Sequence, residues 1–285
     1  MESKSIKKFK SALVKEIPFF PNNKETKDDL MNQSISSVMF YYIHWAYRFV
    51  PKRPRKVIIE NYAINDYRWK NIVTDINDFI AKVKSGEDLT PYLSLLVHSK
   101  GYTTGSRIQN GDAERWDDKD FILNIMGFHH FHLEPYIKDK NTERTNNVIF
   151  AKITRDEFIL VAIFNHDVFD SEKVNNNEMN DERTRLWKIF DEYSSKGIRR
   201  GEVYLPSIIT MSGHPLRIYH ITQEYTHVLN EIDQKLNDKE FLLSFYEEQG
   251  LSIPKNNKLN WHFKGLDFGL LDKANSFFVF RYGPI

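Results

Sequence analysis

The most convincing β-strand pattern of apolar and polar positions lies in the middle of the chain. Residues 147–153 and 157–164 are rich in β-branched and aromatic side chains, and polar residues 154–156 separate them. Two such runs joined by a short polar segment predict a β-hairpin, in which residues 155–156 form the turn.

The register of this hairpin follows from its turn. With a two-residue turn, Thr154 faces Glu157, and counting back along both strands sets Arg144 opposite Asp167. Arg144 and His166 are therefore expected at the same end of the hairpin, away from the turn.

A second strand is predicted just upstream, in the run GFHHFHL at residues 127–133, here called the histidine strand. Side chains alternate between the two faces of a strand, so Phe128, His130 and His132 share one face. His129 is expected on the opposite face. If the histidine strand pairs with the hairpin, its imidazoles approach the end that carries His166.

Helices and further short strands are predicted on either side of this region. Apolar residues recur at helical spacing in segments that we expect to be helices, among them 27–47, 69–84, 117–125, 184–193, 216–236 and 238–249. Short apolar runs near the end of the chain predict strands at 261–263, 266–271 and 277–281.

These elements predict an α+β fold. Its central antiparallel sheet, made of the histidine strand and the 148–164 hairpin, is flanked by helices, and a C-terminal helix with a small β unit follows. We divide the chain into a mainly helical N-terminal region (1–116), a central α+β region with the candidate site (117–193) and a helix-plus-hairpin C-terminal region (194–285). The three regions can equally form one continuous domain.

Charge and composition narrow the range of functions. The 40 Lys and Arg residues against 39 Asp and Glu leave a net charge of +1, which excludes a globally basic coat for nucleic acid. The absence of cysteine excludes disulfide scaffolds, thiolate zinc sites and cysteine nucleophiles, and it fits a reducing cytoplasm. Neither a signal peptide nor an apolar run of membrane-spanning length is present, so we expect a cytoplasmic protein with no membrane partner.

Four side chains of the central region form the candidate catalytic site: His130, His132, Arg144 and His166. Imidazoles titrate near neutral pH and can act as general base and general acid. An arginine can hold a phosphate and stabilise developing negative charge. These groups suffice for metal-independent RNA cleavage, in which the 2′-hydroxyl is the internal nucleophile.

Two other interpretations of the same histidines stay open. An HxH pair on one strand face is a plausible two-ligand metal element, completed by His166 or an acidic partner such as Asp167. Alternatively, the histidines are packing and hydrogen-bonding residues at the edge of a sheet. For the favoured site we assign no metal and no cofactor.

The segment 48–56 carries five basic residues and two prolines and is expected to be an extended connector. Lys52, Arg53 and Arg55 can hold an RNA backbone as substrate-binding residues. The alternative is a solvated linker, because runs of charge usually lie on the surface.

The remaining histidines carry weaker signals. His220, Glu224 and His227 stand at i, i+4 and i+7, a spacing that a metal can use, but an exposed polar helix face produces it by chance. His214, next to Pro215, is interpreted as a turn residue. His44, beside a tryptophan in a predicted helix, is interpreted as a packing residue.

Three segments, RPRKV (53–57), GEDLTPYLS (86–94) and KDFILNIMGFHHFHL (119–133), give the chain a resemblance to known sequences. In order and spacing they resemble a group of uncharacterised bacterial proteins in which a GxHHFHL segment precedes an Arg-led hairpin. The central region is also similar to RelE-like or barnase-like ribonuclease toxins. The resemblance implies a bacterial toxin or phage-defence effector that acts on RNA and has a neutralising or assembly partner protein.

The sequence thus leads to the hypothesis of a ribonuclease-like hydrolase. His130 and His132 supply acid–base catalysis, Arg144 stabilises the phosphorane and His166 completes the site. The alternatives are a metal-dependent hydrolase with histidine ligands and a non-catalytic binding or assembly protein.

Overall fold

The computed structural model describes residues 2–114, 116–136, 146–170, 179–203, 208–248, 250–252, 258–273 and 277–282, the last six by their backbone. Within these residues the chain forms ten α-helices and seven β-strands. The helices are α1 (Lys4–Glu16), α2 (Lys24–Asn32), α3 (Ile35–Ala46), α4 (Asn61–Ile64), α5 (Trp69–Ser85), α6 (Gly105–Gln109), α7 (Phe121–Met126), α8 (Asp181–Ser194), α9 (Leu216–Asp233) and α10 (Lys239–Glu248). The strands are β1 (Lys56–Ile59), β2 (Phe128–His132), β3 (Asn147–Ile153), β4 (Glu157–Asn165), β5 (Leu259–Lys264), β6 (Asp267–Asp272) and β7 (Phe277–Tyr282).

The chain divides into two compact units, each built from separate stretches of sequence. The terminal unit contains Met1–Arg48, Leu96–Lys119 and His214–Ile285, and the central unit contains Phe49–Leu95 and Asp120–Gly213. Both combine helices with a β-sheet, which confirms the α+β fold class. The boundaries predicted after residues 116 and 193 stay a prediction.

The sheet of the central unit has four strands in the order β1-β4-β3-β2. The histidine strand and the hairpin form its antiparallel part, as predicted. β1 adds a parallel edge, with Lys56 beside Glu157, so that the sheet is mixed. The sequence analysis missed this strand because the prolines and charges of segment 48–56 obscure the β-branched run that follows them.

The turn end of the hairpin follows the predicted register. Ile153 pairs with Phe158, and the N–H of Thr154 donates to the carbonyl of Glu157 at 2.9 Å. The Thr154 hydroxyl also accepts from the N–H of Glu157 at 3.1 Å. These contacts close the two-residue turn without a glycine.

Farther from the turn, a β-bulge changes the register. Phe150 pairs with Ala162, whereas Ala151 pairs with Leu160, so Val161 is an extra residue in β4. Val161 and Ala162 are both buried in one hydrophobic cluster, although neighbours in a regular strand face opposite sides. The bulge buries both apolar side chains but leaves Val161 without a paired residue in β3.

The bulge moves the far end of the hairpin by one residue. The N–H of His166 donates to the carbonyl of Asn146 at 3.0 Å. The predicted register, which set Arg144 opposite Asp167, is therefore wrong by one residue where the structure describes this end. Arg144 itself lies outside the described residues.

Helices cover both faces of the central sheet. On one face, residues of α7 and α8 pack with Phe128 and Phe150 in a cluster that includes Leu186 and Phe190. On the other face, Phe79 of α5 lies 5.2 Å from Phe131 and 5.9 Å from Phe158, measured between ring centroids. Burial of each such ring contributes roughly 1.5–3 kcal/mol.

The terminal unit packs α1, α3 and α9 with the antiparallel sheet β5-β6-β7. Phe9 of α1 lies 5.8 Å from Phe263 and 5.8 Å from Phe268. The single helix predicted over 27–47 is two helices, because the Ser34 hydroxyl accepts from the N–H of Ser37 and begins α3 with an N-cap. None of the helices in the described ranges has the length and apolar character needed to cross a bilayer.

Gly86 ends α5 in the left-handed conformation, with φ +77°, and it permits a close backbone approach. A Cβ at this position would lie 2.5 Å from the nitrogen of Pro54. Gly197, in the same unit, has φ +81° but open space around the Cβ position. Alanine at Gly197 would therefore introduce backbone strain alone, whereas alanine at Gly86 would add a steric clash.

We predict that Gly197→Ala lowers the free energy of unfolding by about 1 kcal/mol, the cost of a left-handed alanine. Gly86→Ala adds the collision with Pro54 and is expected to cost roughly 2–4 kcal/mol in total. Urea unfolding followed by circular dichroism measures both. Equal losses in the two variants would show that the Pro54 contact is unimportant.

Candidate functional site

The helix α7 and the strand β2 position the first imidazole of the candidate site. Asp120 caps α7 by accepting from the N–H of Leu123 at 2.9 Å, and Gly127, with φ 71°, ends the helix after six residues. The chain then turns directly into the histidine strand. As a result, Oδ2 of Asp120 lies 3.3 Å from Nδ1 of His130.

The Asp120 carboxyl is shaped by two opposing effects. Burial by itself would raise its pKa, but the His130 imidazole and the N–H of Leu123 outweigh burial and lower the pKa below its ordinary value. The group is therefore a carboxylate at neutral pH. A carboxylate facing one ring nitrogen orients an imidazole and fixes which nitrogen is available to another partner.

The second and third imidazoles meet at the end of the hairpin. The ring centroids of His132 and His166 are 5.0 Å apart, with 33° between the planes. His132 is buried on β2, whereas His166 is exposed and begins the short 3₁₀ helix His166–Phe169. The Asn165 side chain accepts from the N–H of Asp167 at 3.0 Å and caps that turn.

Phe169 packs against both ends of this group. Its ring lies 4.7 Å from His130 and 5.4 Å from His166. His130 also contacts Phe150 at 6.0 Å. The predicted assignment of His130 and His132 to one face is confirmed by these contacts. We refer to His130, His132 and His166 as the histidine cluster.

Of the four predicted catalytic residues, the structure brings together the three histidines. Arg144, the fourth, lies outside the described residues. The rings of His132 and His166 lie next to each other, one buried and one exposed.

The predicted substrate-binding residues lie elsewhere in the central unit. Lys52 is exposed and pairs with Asp88 at 2.9 Å. Arg55 is only 5% exposed, and it donates to the carbonyls of Thr154 at 3.0 Å, Pro51 at 2.9 Å and Arg53 at 3.2 Å. The expectation that Arg55 presents its charge to a phosphate is wrong, because this guanidinium is buried and holds the connector against the hairpin turn.

The basic connector and the histidine cluster are at opposite ends of β4. Arg55 contacts Thr154 at the turn, whereas His166 follows the last residue of β4. The nine residues of β4 span roughly 25 Å at about 3.3 Å per residue. Lys52 and Arg53, which belong to the connector, therefore lie away from the histidine cluster.

A buried charge network near the histidine cluster was missed by the sequence analysis. Arg68 and Arg185 both donate to the carbonyl of Ile163, at 3.2 and 2.8 Å. Arg68 pairs with Glu182, and Arg185 pairs with Asp66. The four charged residues come from segments more than a hundred residues apart, so no local sequence motif indicates the network.

The network holds the C-terminal end of β4. Besides Arg68, Glu182 accepts from the backbone N–H of Asn165 at 3.1 Å. Asn165 precedes His166 and caps its turn. The position of the exposed imidazole therefore depends on Glu182, although the two side chains belong to different elements.

A cavity of about 340 Å³ in the central unit does not include the histidine cluster. It is lined by Asp75, Asp78 and Glu87 together with Tyr92 and Leu133, among others. Three carboxylates repel a phosphate, so this cavity does not suit a polyanion.

Among the described residues, three or more ligand groups of a metal converge at His44, Asp118 and His214. These residues belong to the terminal unit. The sequence analysis had interpreted His44 as packing and His214 as a turn residue, and it had placed potential metal ligands on the histidine strand instead. Only the three-dimensional arrangement identifies this group, because its members are far apart in the sequence.

Comparison of the chain with family models, with curated proteins and with solved structures gives no significant match. The resemblance to proteins with a GxHHFHL segment and to ribonuclease toxins therefore stays a prediction.

We predict that Glu182→Gln lowers the free energy of unfolding by roughly 2–4 kcal/mol, because it removes the closer charge partner of the buried Arg68 and leaves only Asp66, at 3.7 Å. The matched control is Asp191→Asn, an exposed position on the same helix, with an expected change within about 0.5 kcal/mol. Urea unfolding gives both values. Similar small losses in the two variants would show that the network contributes little.

His129 generates a prediction about pH. Burial lowers the pKa of His129 from its ordinary 6.5 to about 4, and nearby His130 and Arg55 act in the same direction. Between pH 6.5 and 4, His129 therefore binds a proton in the unfolded chain but not in the folded protein. Stability is full above pH 6.5 and falls as the pH drops through this window, by up to about 3 kcal/mol.

The free energy of unfolding in urea at pH 7 and pH 4.5 tests this effect. His129→Gln should reduce the loss between the two pH values, whatever its cost at pH 7. The exposed His227→Gln serves as the control and should leave the pH dependence unchanged. An unaltered slope in His129→Gln would assign the acid sensitivity to other groups.

Proposed function

We propose that the central unit is a metal-independent, ribonuclease-like enzyme whose proton transfers are made by His132 and His166. The observation that carries the proposal is the 5.0 Å separation of these two imidazoles, one buried on a strand and one exposed at a capped turn. Two imidazoles at this spacing can serve one phosphodiester from adjacent positions.

The chemistry divides between a base and an acid. One imidazole takes the proton of the 2′-hydroxyl, and the 2′-oxygen then attacks the adjacent phosphorus. The other imidazole gives a proton to the departing 5′-oxygen, so that a cyclic phosphate and a free hydroxyl result. Water and the same pair in reversed roles can then open the cyclic phosphate.

His130 is assigned a positioning role. Its ring is held between the Asp120 carboxylate and Phe169, and Phe169 also packs on His166. The original hypothesis placed His130 and His132 as the acid–base pair. The contacts favour His132 and His166 because their rings lie next to each other and His166 is open to solvent.

Arg144 retains its predicted role of stabilising the negative charge of the phosphorane. Lys52 and Arg53 serve an extended RNA strand some distance from the cleaved bond. The setting that we propose is a bacterial cytoplasmic toxin or phage-defence effector, held by a neutralising or assembly partner protein.

We predict that His132→Ala and His166→Ala each reduce cleavage of a fluorescent single-stranded RNA by roughly 10²–10⁴-fold, the usual contribution of a general acid or base. The rate of the unaltered protein should depend on pH as a bell-shaped curve, since one imidazole must be neutral and the other charged. His227→Ala, an exposed histidine of the terminal unit, is the control and should cleave normally.

Chelation separates the proposal from its alternatives. Cleavage that survives EDTA and is lost in both folded variants supports an acid–base pair. Loss of cleavage with EDTA would favour a metal-dependent hydrolase. No cleavage by the unaltered protein would leave a non-catalytic binding or assembly protein as the better description. Equal cleavage by His166→Ala would overturn the assignment of His132 and His166 as the acid–base pair.

A further inference from the structure

Three buried side chains of the terminal unit converge on one point. His44 lies in the last turn of α3, Asp118 lies in a turn of the segment Leu96–Lys119, and His214 immediately precedes Pro215, the N-cap of α9. One ligand atom from each residue lies within 4.8 Å of the other two. The residues are 1%, 5% and 6% exposed.

The geometry of the two imidazoles suits a shared ligand. The ring centroids of His44 and His214 are 4.5 Å apart, and the ring planes make an angle of 77°. Ligand atoms about 2.0–2.2 Å from zinc lie roughly 3.3–3.6 Å apart in a tetrahedral site. A separation of at most 4.8 Å can therefore close on a metal through small side-chain rotations.

We propose that His44, Asp118 and His214 form a binding site for a divalent transition metal. Two imidazole nitrogens and one carboxylate oxygen suit ions such as Zn²⁺, Mn²⁺ or Fe²⁺, whereas calcium and magnesium prefer oxygen ligands throughout. Three protein ligands leave at least one coordination position open, which is typical of reactive rather than purely structural sites.

Phe40 and Lys119 contact the three proposed ligand residues. Phe40 lies edge-on to His214 at 4.9 Å and parallel to His44 at 6.5 Å, so it restricts both rings. Nζ of Lys119 lies 2.5 Å from Oδ1 of Asp118. A carboxylate offers about four acceptor positions, so Asp118 can bind both the ammonium group and a cation. The Lys119 ammonium group therefore competes with the metal for the Asp118 carboxylate.

A cavity of about 350 Å³ gives the site a neighbouring space. Phe40 and Tyr41 line it, and their rings lie 4.9 and 6.5 Å from the ring of His214. The rest of the lining consists largely of hydroxyl and amide side chains, including Ser34, Ser37, Gln33, Thr222 and Gln223. Such a lining accommodates water or a polar uncharged molecule.

This site is independent of the proposed ribonuclease chemistry. It uses other residues, in another unit, and a metal there takes no part in the proton transfers of the histidine cluster. The two proposals therefore stand or fall separately.

The test uses the full chain, stripped with EDTA and dialysed. Titration with Zn²⁺ in a calorimeter should give one site per chain, and Co²⁺ should produce a visible absorption band with the same stoichiometry. Bound metal should also raise the melting temperature, because it binds the folded state. Asp118→Asn, which preserves the side-chain shape, and His214→Ala should each weaken binding by at least 100-fold.

Two controls keep the test decisive. His227→Gln removes an exposed histidine of the same unit and should bind Zn²⁺ normally. Lys119→Met removes the competing ammonium group and should tighten binding several-fold. If His214→Ala fails to fold, Asp118→Asn and the Co²⁺ spectrum of the unaltered protein still decide.

Failure of the folded, unaltered protein to bind Zn²⁺ or Co²⁺ at one site per chain would overturn the proposal. Undiminished binding in Asp118→Asn would do the same. Either result would show that the three side chains form a hydrogen-bonded cluster of the core, in which Lys119 balances the charge of Asp118. Cleavage of RNA in EDTA, measured in parallel, reports on the histidine cluster alone.

Discussion

The pairing of β3 with β4 is the constraint on which the central unit depends. β4 lies between β1 and β3, and helices cover both faces of the sheet, so most residues of the pair are buried. A shift by one residue would exchange the two faces of a strand. The protein contains such a shift, which the bulge at Val161 introduces while burying the extra side chain.

The charge network at the end of β4 is a second constraint, of a different kind. Taking the charges of Asp66 and Arg68 out of water is costly, and attraction between opposite charges recovers that cost only in good geometry. The network does not lend the sheet its hydrophobic stability. It specifies where β4 ends, since Arg68 and Arg185 share the carbonyl of Ile163 and Glu182 accepts from Asn165. The 3₁₀ turn that carries His166 begins at that point.

Runs of β-branched and aromatic residues were sufficient to predict the hairpin and the histidine strand, and the two-residue period of a strand predicted the faces on which its imidazoles lie. These are local properties, set by side-chain period and turn length. The bulge, the burial of Arg55 and the charge network depend on packing partners that are distant in sequence, so periodicity contains no sign of them. β1 was missed because two prolines and a run of charge precede only four strand residues.

The candidate sites show the same difference between features set by local sequence and features set by contacts between distant segments. The approach of His132 to His166 follows from strand pairing and could be anticipated from the sequence. The approach of His44, Asp118 and His214 could not, because each belongs to a different segment and two of them have ordinary explanations in their own helix or turn. Clusters assembled from separate segments are visible only when the fold is known.

The division of the chain into units has a consequence for how the protein can be made and taken apart. The polypeptide passes from one unit to the other after residues 48, 95, 119 and 213, so neither unit is a continuous fragment. During synthesis the central unit lacks the strands β3 and β4 until more than half of the chain has been translated. The terminal unit cannot assemble its sheet until the last segment has been made. The central unit is therefore complete at residue 213, before the terminal unit, and a simple truncation at any of these crossings leaves at least one unit incomplete.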